Sequence, residues 1–558
     1  MTGQARARSQ GTVATLTFLG AWLLVDAVAN VRYPGKETRL WYLVPSLDIV
    51  VLLGVFAVLG VLRRRVPLWV HGALTLTLFL VRLLRIGDGV STRFLHRPFS
   101  LYVNLSLLPE VPRLLFDTVP LATLILGTVG VAVGVALVLG LSFFALRTLE
   151  KALTERTNVG ILAGITLVLL AASLVPRARA DERYTGAFAS SGAARLFAEG
   201  TALWQARGYR ERVERAITDV RERLARQPTN LARLHGADVL LFIVESYGEG
   251  ALADPALARR VRPELDAMAS ELTTAGYTAA SSVLESPTFG GGSWLAHAAL
   301  NTGLRTENQL EYELVAVRDP VTLGDFFRHA GYRTVLVQPA NTRGPDKRRY
   351  LTFDASYFGA AFDYRGPSFG WGTLPDQYVI DFVDRRELSQ RAPSGPRFVE
   401  YALITSHAPW TRQATVVRDW SAVGDGSVFS SLPIKEHRTS WSHLEGASGA
   451  YADALVYDLE VLRRYLADRV KDDTLVIILG DHQPPGGVTE QSNGHGVPIH
   501  VLSRKRALVE PFVARGYTSG MVPATSGARR GLETFLFSFL RDFSEDLRQT
   551  SVVGGQKP

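Results

Sequence analysis

Five residues able to bind a metal ion or transfer a proton border apolar runs in the second half of the sequence. Glu245 ends the run ADVLLFIVE, and His407 follows FVEYALITS. Asp481 and His482 end TLVIILGDH, and His495 comes 13 residues later, directly before GVPIHVLS. Neither side chain of an Asp-His pair is stable in an apolar core without a partner. The pair therefore predicts metal ligation, with Glu245 as a further ligand.

A glycine-rich turn, SPTFGGGS over residues 286–293, supplies the hydroxyl groups. A hydroxyl is a poor nucleophile at neutral pH, but a divalent cation can hold it in its ionised form. Ser293 ends the turn just before a predicted helix, whose N-terminus favours a phosphate. We expect Ser293 to be the nucleophile and fourth metal ligand, with Thr288 as the alternative. His407 and His495 would then donate protons to phosphate oxygens or to a leaving group.

The surrounding pattern predicts an α/β unit. Apolar runs typical of buried strands alternate with helical stretches, which indicates a mostly parallel sheet covered by helices on both faces. Ligands bind such sheets beyond the carboxyl ends of the strands, where these polar residues lie. The predicted strands are 237–246, 333–338, 398–405, 474–479 and 498–502, and the predicted helices are 263–275, one starting at Trp294, 321–330, 376–388 and 447–469.

The first 176 residues predict a membrane domain. A membrane-spanning helix needs about 20 apolar residues, and five segments qualify: 11–31, 45–62, 67–84, 119–146 and 158–175. Basic residues in the short connections belong in the cytoplasm. These are Arg63–Arg65, Arg147, Lys151 and Arg156, so the second half of the chain is expected outside. Asp26 and Asp48 lie within or near the spans, where ionisable groups need a partner or a function.

A connector over residues 177–236 follows the spans. Val213, Ile217, Val220 and Leu224 recur at helical spacing between Arg and Glu residues. Such an amphipathic helix either lies on the membrane surface or packs against the water-soluble domain.

Composition excludes several classes of protein. The 558 residues contain no Cys, which excludes disulfides, zinc-thiolate sites, cysteine nucleophiles and Cys-derived formylglycine. The net charge of +8 is modest for this length, and many Arg residues flank apolar segments, so no nucleic-acid partner is expected.

The order Glu, Gly-Gly-Ser, Ser-His, Gly-Asp-His and His-Gly-Val-Pro resembles the sulfatase-like branch of the alkaline phosphatase superfamily. The similarity is strongest at FIVES, LITSHAPW, ILGDHQPP and HGVPI. With five preceding spans, the chain resembles the lipoteichoic acid synthases and the lipid A phosphoethanolamine transferases. The resemblance implies Glu245, Asp481 and His482 as metal ligands and His407 and His495 as phosphate or headgroup binders. It also places Asn341, Arg343, Asp376 and Trp410 where relatives contact substrate.

Two departures narrow the resemblance. The Cys/Ser-x-Pro-x-Arg motif of formylglycine sulfatases is absent, which argues against sulfate ester hydrolysis. Two-metal members carry an Asp four residues before the third-site His, and this chain has Leu403 there. One divalent ion, zinc or manganese, is therefore expected.

Together these features predict four regions: spans in 1–176, the connector 177–236, an extracytoplasmic sulfatase-like domain over 237–545 and a flexible tail over 546–558. We expect a monomer in a bacterial cytoplasmic membrane. It would transfer phosphoethanolamine or phosphoglycerol from a phospholipid to an envelope glycan or lipid. A phosphodiesterase or other hydrolase with the same metal site is the alternative, and a non-catalytic scaffold is the third possibility.

Overall fold

The chain divides into two units in the computed structural model. The N-terminal unit holds Met1–Arg93 and Arg97–Arg207, and the C-terminal unit holds Phe94–His96 and Gly208–Pro558. The structure describes residues 2–30, 46–97, 99–104, 121–154, 184–185, 188–189, 192–206, 208–341, 351–371, 374–389, 395–440, 444, 446–489, 494–524 and 529–545.

The N-terminal unit is helical in its described part, apart from a short hairpin. Its helices are α1 Thr2–Asn30, α2 Leu47–Val61, α3 Leu68–Leu95, α4 Leu101–Asn104, α5 Leu121–Thr154 and α6 Gly192–Ala206, and the hairpin is β1 Tyr184–Thr185 with β2 Phe188–Ala189. The apolar core of the bundle forms where α1 and α2 pack against α5, around Val25, Phe56 and Leu149.

Within the described part of the chain, three helices are long and apolar enough to cross a membrane: Val13–Asn30, Leu68–Leu95 and Leu121–Thr154. The expected span at 45–62 is the apolar helix α2, which has only 15 residues. The expected span at 158–175 lies outside the described residues, so the count of five stays a prediction. These helices support a membrane-anchored protein.

The two basic clusters expected in the cytoplasm meet at one end of this helix bundle. Arg63, Arg64 and Arg65 follow α2, and Arg147 and Lys151 lie in the last turns of α5. All five line one cavity of about 850 Å³. This end therefore has the charge that the positive-inside rule assigns to the cytoplasmic face.

The C-terminal unit is an α/β structure. Its helices are α7 Tyr209–Ala225, α8 Gly250–Ala253, α9 Pro255–Thr274, α10 Ser293–Thr302, α11 Gln309–Val317, α12 Leu323–His329, α13 Asp376–Val383, α14 Ser448–Asp468, α15 Glu510–Ala514 and α16 Thr534–Phe543. Its strands are β3 Asp238–Val244, β4 Thr278–Glu285, β5 Arg333–Gln338, β6 Ala355–Phe358, β7 Arg397–Ala402, β8 Arg412–Gln413, β9 Lys435–Glu436, β10 Thr474–Gly480, β11 Gly496–Ser503, β12 Thr518–Ser519 and β13 Arg530–Gly531.

The main sheet has the strand order β12-β4-β11-β10-β3-β7-β5-β6, with β13 beside β4. The strands β10, β3, β7, β5 and β6 are parallel, as expected, whereas β11 is antiparallel to β10 and β4. The strand β4 is not among the predicted strands, because its sequence TAASSVLE has small and polar residues instead of a continuous apolar run. Both β3 and β10 are buried over their full length, which explains why their sequences are apolar at every position.

Each face of the sheet carries its own apolar core. Phe242 of β3 packs on one side with Tyr465 of α14, and Leu241 packs on the other with Phe327 of α12. The connector helix α7 also packs within this unit, since Val213 and Ile217 contact Leu304 and Val315. Of the two alternatives for this helix, the structure shows packing against the water-soluble unit.

Candidate metal centre

The sheet register brings the two predicted carboxylates together. In the parallel pair of β10 and β3, Gly480 lies opposite Val244. The next residues, Asp481 and Glu245, therefore leave the sheet side by side at the carboxyl ends of their strands. Only glycine fits at position 480, because the Cβ of any other residue would lie 1.8 Å from the carbonyl oxygen of Tyr247.

Glu245, Asp481 and His482 form a buried group whose ligand atoms all lie within 4.8 Å of one another. Nε2 of His482 is 3.4 Å from Oε1 of Glu245 and 3.4 Å from Oδ2 of Asp481. It is the one cluster of three or more such ligands within the part of the chain that the structure describes.

The hydrogen bonds around this group leave its ligand atoms available to a cation. Nδ1 of His482 lies 2.7 Å from the carbonyl oxygen of Gln483 and donates to it, which leaves Nε2 as the ring nitrogen that faces the carboxylates. Oδ1 of Asp481 accepts hydrogen bonds of 2.7 Å from the backbone N–H groups of Ser246 and His482. Its other oxygen, Oδ2, is buried without a hydrogen-bond partner. A buried carboxylate oxygen of this kind fits a cation, because leaving it unpaired is costly.

The electrostatics of the two carboxylates also fit a cation. Burial raises the pKa of Glu245, but His482, His407 and the hydroxyls of Ser293 and Ser246 outweigh it and lower the pKa to about 2. Burial and the charge of Glu245 raise the pKa of Asp481 to about 7. Two adjacent carboxylates resist double ionisation, and a divalent cation between them removes that conflict.

Ser293 lies beside the three candidate ligands. It is the first residue of α10, after Gly292 at φ 80°, a left-handed conformation that favours glycine. Its Oγ lies 2.9 Å from Oε2 of Glu245 and 3.1 Å from Nε2 of His482. The alternative hydroxyl, Thr288, instead donates a 2.6 Å hydrogen bond to the carbonyl oxygen of Gly291 within the turn. The geometry therefore favours Ser293.

A neighbouring helix–strand contact fixes α10, the helix that begins with Ser293. Nδ2 of Asn301 donates to both carboxylate oxygens of Glu400 on β7, at 3.0 and 3.1 Å. Both side chains are fully buried, and burial raises the pKa of Glu400 to about 7.

His407 and His495 reach the same edge of the sheet by different routes. His407 follows β7, its Nδ1 lies 2.6 Å from the carbonyl oxygen of Ala408, and its ring stacks on Trp371. His495 precedes the antiparallel strand β11, whose first residue Gly496 pairs with Glu285 at the end of β4. Because β11 runs antiparallel to β10 and β4, its first residue lies beside the carboxyl ends of those strands. The sequence pattern did not predict this direction.

The four residues expected to contact substrate lie in different surroundings. Asp376 is fully buried and accepts hydrogen bonds from the backbone N–H groups of Ile404 and Thr405, at 2.7–3.0 Å. Trp410 is buried too, and its Nε1 donates to the carbonyl oxygen of Ser406. Both positions suit residues that hold the loop before and after His407. Asn341 lies partly buried after β5, and Arg343 lies outside the described residues.

Sequence reasoning missed His297. It lies one helical turn after Ser293 on α10, and burial lowers its pKa to about 4 while the charges of Glu245 and His482 also act on it. Its position four residues after Ser293, on the helix predicted there, was the available signal. Leu403 occupies the position where two-metal members of the superfamily carry an Asp, and its side chain is buried.

No family model matches the chain, and no curated protein matches it. Solved structures do resemble it. The lipoteichoic acid synthase LtaP from Listeria monocytogenes has 13% identity and a TM-score of 0.35, covering 55% of this chain and 72% of its own. The Streptococcus pyogenes phosphoglycerol transferase GacH has 15% identity and a TM-score of 0.35, covering 60% and 90%. A protein in the alkaline phosphatase superfamily from Vibrio parahaemolyticus has 13% identity and a TM-score of 0.32, covering 48% and 60%.

These similar structures include members of the superfamily that the motifs resemble, and one is a lipoteichoic acid synthase.

Proposed function

We propose that this chain is a membrane-anchored, metal-dependent transferase that moves a phospholipid headgroup phosphate to an envelope glycan or lipid. The observation that carries the proposal is the position of Ser293, whose Oγ lies at hydrogen-bond distance from both Glu245 and His482. A serine at the start of a helix, beside a cluster of metal-ligating side chains, is suited to attack a phosphate that the helix N-terminus attracts.

Glu245, Asp481 and His482 would hold one divalent ion, with Ser293 completing the set. The ion would favour the ionised form of the Ser293 hydroxyl and offset the charge of an incoming phosphate. A mixed set of two carboxylates and one imidazole suits both zinc and manganese.

The transfer has two balanced steps. In the first, Oγ of Ser293, having released its proton to water, forms a bond to phosphorus. The bond between phosphorus and the diacylglycerol oxygen breaks, and the imidazole of His407 or His495 donates a proton to that oxygen. In the second step an acceptor hydroxyl attacks phosphorus, the bond to Ser293 breaks, and the same imidazole takes the acceptor proton.

Membrane attachment supports a lipid donor. The apolar helices α1, α3 and α5 would hold the chain in a bilayer, and the cationic cavity at one end of their bundle favours the cytoplasmic side for that end. The C-terminal unit would then act outside a bacterial cytoplasmic membrane. Phosphoethanolamine and phosphoglycerol are the phospholipid headgroups transferred by the enzymes that the motifs resemble.

The test uses the full chain in vesicles of phosphatidylethanolamine and phosphatidylglycerol, with a divalent ion. Diacylglycerol release is measured with and without added glycan acceptors, and the protein is digested to locate a phosphoryl adduct by mass spectrometry. Transfer predicts diacylglycerol, an adduct on Ser293 and headgroup phosphate on an acceptor. Free headgroup phosphate at the same rate with or without acceptor would instead show a hydrolase. Absence of diacylglycerol from both lipids with metal bound would contradict a phospholipid donor.

A further inference from the structure

Helix α6, Gly192–Ala206, has its polar and apolar faces reversed relative to a helix on a water-soluble surface. Its charged side chains Arg195 and Glu199 are largely buried within the N-terminal unit. Three of its four large apolar side chains are exposed: Phe197 is 75% exposed, Leu203 48% and Trp204 70%, whereas Leu196 is partly buried. Phe197 and Trp204 are seven residues apart and therefore lie on one side of the helix.

The buried polar face is fixed by specific contacts. Arg195 forms hydrogen bonds of 2.9 and 3.1 Å to the carboxylate of Asp88 on α3 and one of 2.7 Å to the carbonyl oxygen of Phe99. Glu199 accepts from the hydroxyl of Ser100 and the backbone N–H of Tyr102. These bonds prevent the helix from turning its apolar side inward.

A second attachment holds the N-terminus of α6. The carboxylate of Asp48 accepts hydrogen bonds from the backbone N–H groups of Gly192 and Ala193, which satisfies donors that a helix start leaves unpaired. Asp48 lies in the first turn of α2, and Asp88 lies near the end of α3. Both carboxylates therefore lie at the end of the helix bundle opposite to the cavity lined by Arg63, Arg64 and Arg65.

An apolar face in water is unfavourable, and a face of Phe, Leu and Trp rimmed by membrane helices fits lipid. Helix α6 has 15 residues and a charged pair in its middle, so it is too short and too polar to span a bilayer. On α3, which α6 contacts through Arg195 and Asp88, Leu80 and Leu83 are exposed as well. Lipid is therefore the partner that this face fits.

We propose that α6 lies in the plane of the membrane at its extracytoplasmic interface, with Phe197, Leu203 and Trp204 inserted among the lipids. Such a helix sits at the boundary between headgroups and acyl chains. This placement does not depend on the transferase reaction.

The absence of cysteine makes a direct test possible, because a single introduced cysteine carries the only label. Phe197→Cys, Leu203→Cys and Trp204→Cys are spin-labelled in the full chain and reconstituted in vesicles. Collision with apolar oxygen is compared with collision with a water-soluble nickel complex. Val129→Cys on the exposed face of α5 is the lipid reference, and Asp219→Cys on the exposed face of α7 is the water reference.

The labels on α6 are expected to collide several-fold more with oxygen than with nickel, as at position 129. Nickel access equal to that at position 219 would overturn the proposal, because the face would lie in water. Shielding from both reagents would also overturn it, because another protein surface would cover the face. If the cysteine variants fold poorly, quenching of Trp204 fluorescence by brominated lipids tests the same contact. The signal of Trp204 is the difference between the wild-type chain and Trp204→Phe, and the absence of quenching would overturn the proposal.

Discussion

The hydroxyl of Ser293 lies 2.9 Å from Oε2 of Glu245, although 48 positions separate the two residues in the chain. The contact exists because Glu245 ends a central strand while Ser293 begins a helix that packs beside the same strand end. It joins the candidate nucleophile to the candidate metal ligands.

Ser293→Ala is expected to abolish diacylglycerol release, by at least about 10³-fold, because no other hydroxyl in the turn reaches Glu245 and His482. The variant should still bind one divalent ion through the remaining ligands, as measured by metal analysis of the purified protein. Thr288→Ala is the matched control. It should keep activity, since the Thr288 hydroxyl bonds only within the turn. Loss of activity in Thr288→Ala with full activity in Ser293→Ala would reverse the assignment.

Asp481→Ala and His482→Ala are each expected to remove the bound ion and abolish turnover. The fold should survive, because both residues follow β10 and contribute no apolar side chain to either core. Metal content and the thermal unfolding midpoint check the two parts of this expectation. Asp468→Ala, at an exposed position ending α14, controls for loss of an acidic residue. Unchanged metal content in both ligand variants would exclude this site.

Glu400 is expected to make stability depend on pH. Its pKa rises from 4.5 to about 7 on burial, so its contribution is fully present below pH 4.5 and is lost as pH rises to about 7. At about 1.4 kcal/mol per pH unit, the loss is roughly 3 kcal/mol. Glu400→Gln keeps an acceptor for Asn301 but cannot ionise. The difference in unfolding free energy between wild type and this variant, measured from pH 4.5 to 8, should follow that curve. A constant difference across the range would show that Glu400 does not titrate there.

Asp376→Ala is expected to lower kcat more than it changes KM for the donor lipid. The carboxylate is fully buried and accepts from the backbone N–H groups of Ile404 and Thr405, just before His407. Leaving these donors unpaired should also cost about 1–3 kcal/mol of stability. Asp376→Asn, which retains an acceptor oxygen, should recover part of both. A large rise in KM with kcat unchanged would point to direct substrate binding instead.

A reporter enzyme that works only outside the cytoplasm is expected to be active when fused to the C-terminus. The cluster of Arg63, Arg64, Arg65, Arg147 and Lys151 favours the cytoplasm for its end of the bundle. The span expected at 158–175 would then carry the chain across the membrane once more, before the C-terminal unit. Activity of a cytoplasm-only reporter at the same position would show that the span count is even.

The sequence by itself indicated which side chains are the candidate metal ligands. Glu245, Asp481 and His482 each follow a run that is apolar at every position, and such runs form central strands whose ends meet at one edge of a parallel sheet. The long apolar segments likewise predicted α1, α3 and α5, because length and hydropathy are local properties. For the segment at 158–175, the prediction remains untested.

Only the tertiary structure decided how these groups meet. The register of β10 on β3 sets Asp481 beside Glu245, and register depends on contacts between distant segments. The antiparallel direction of β11 brings His495 to the same edge of the sheet. The strand β4 was not predicted, because its pairing with neighbouring strands defines it more than its own residues do. The choice between Ser293 and Thr288 and the reversed faces of α6 depend on side-chain direction, which only packing fixes.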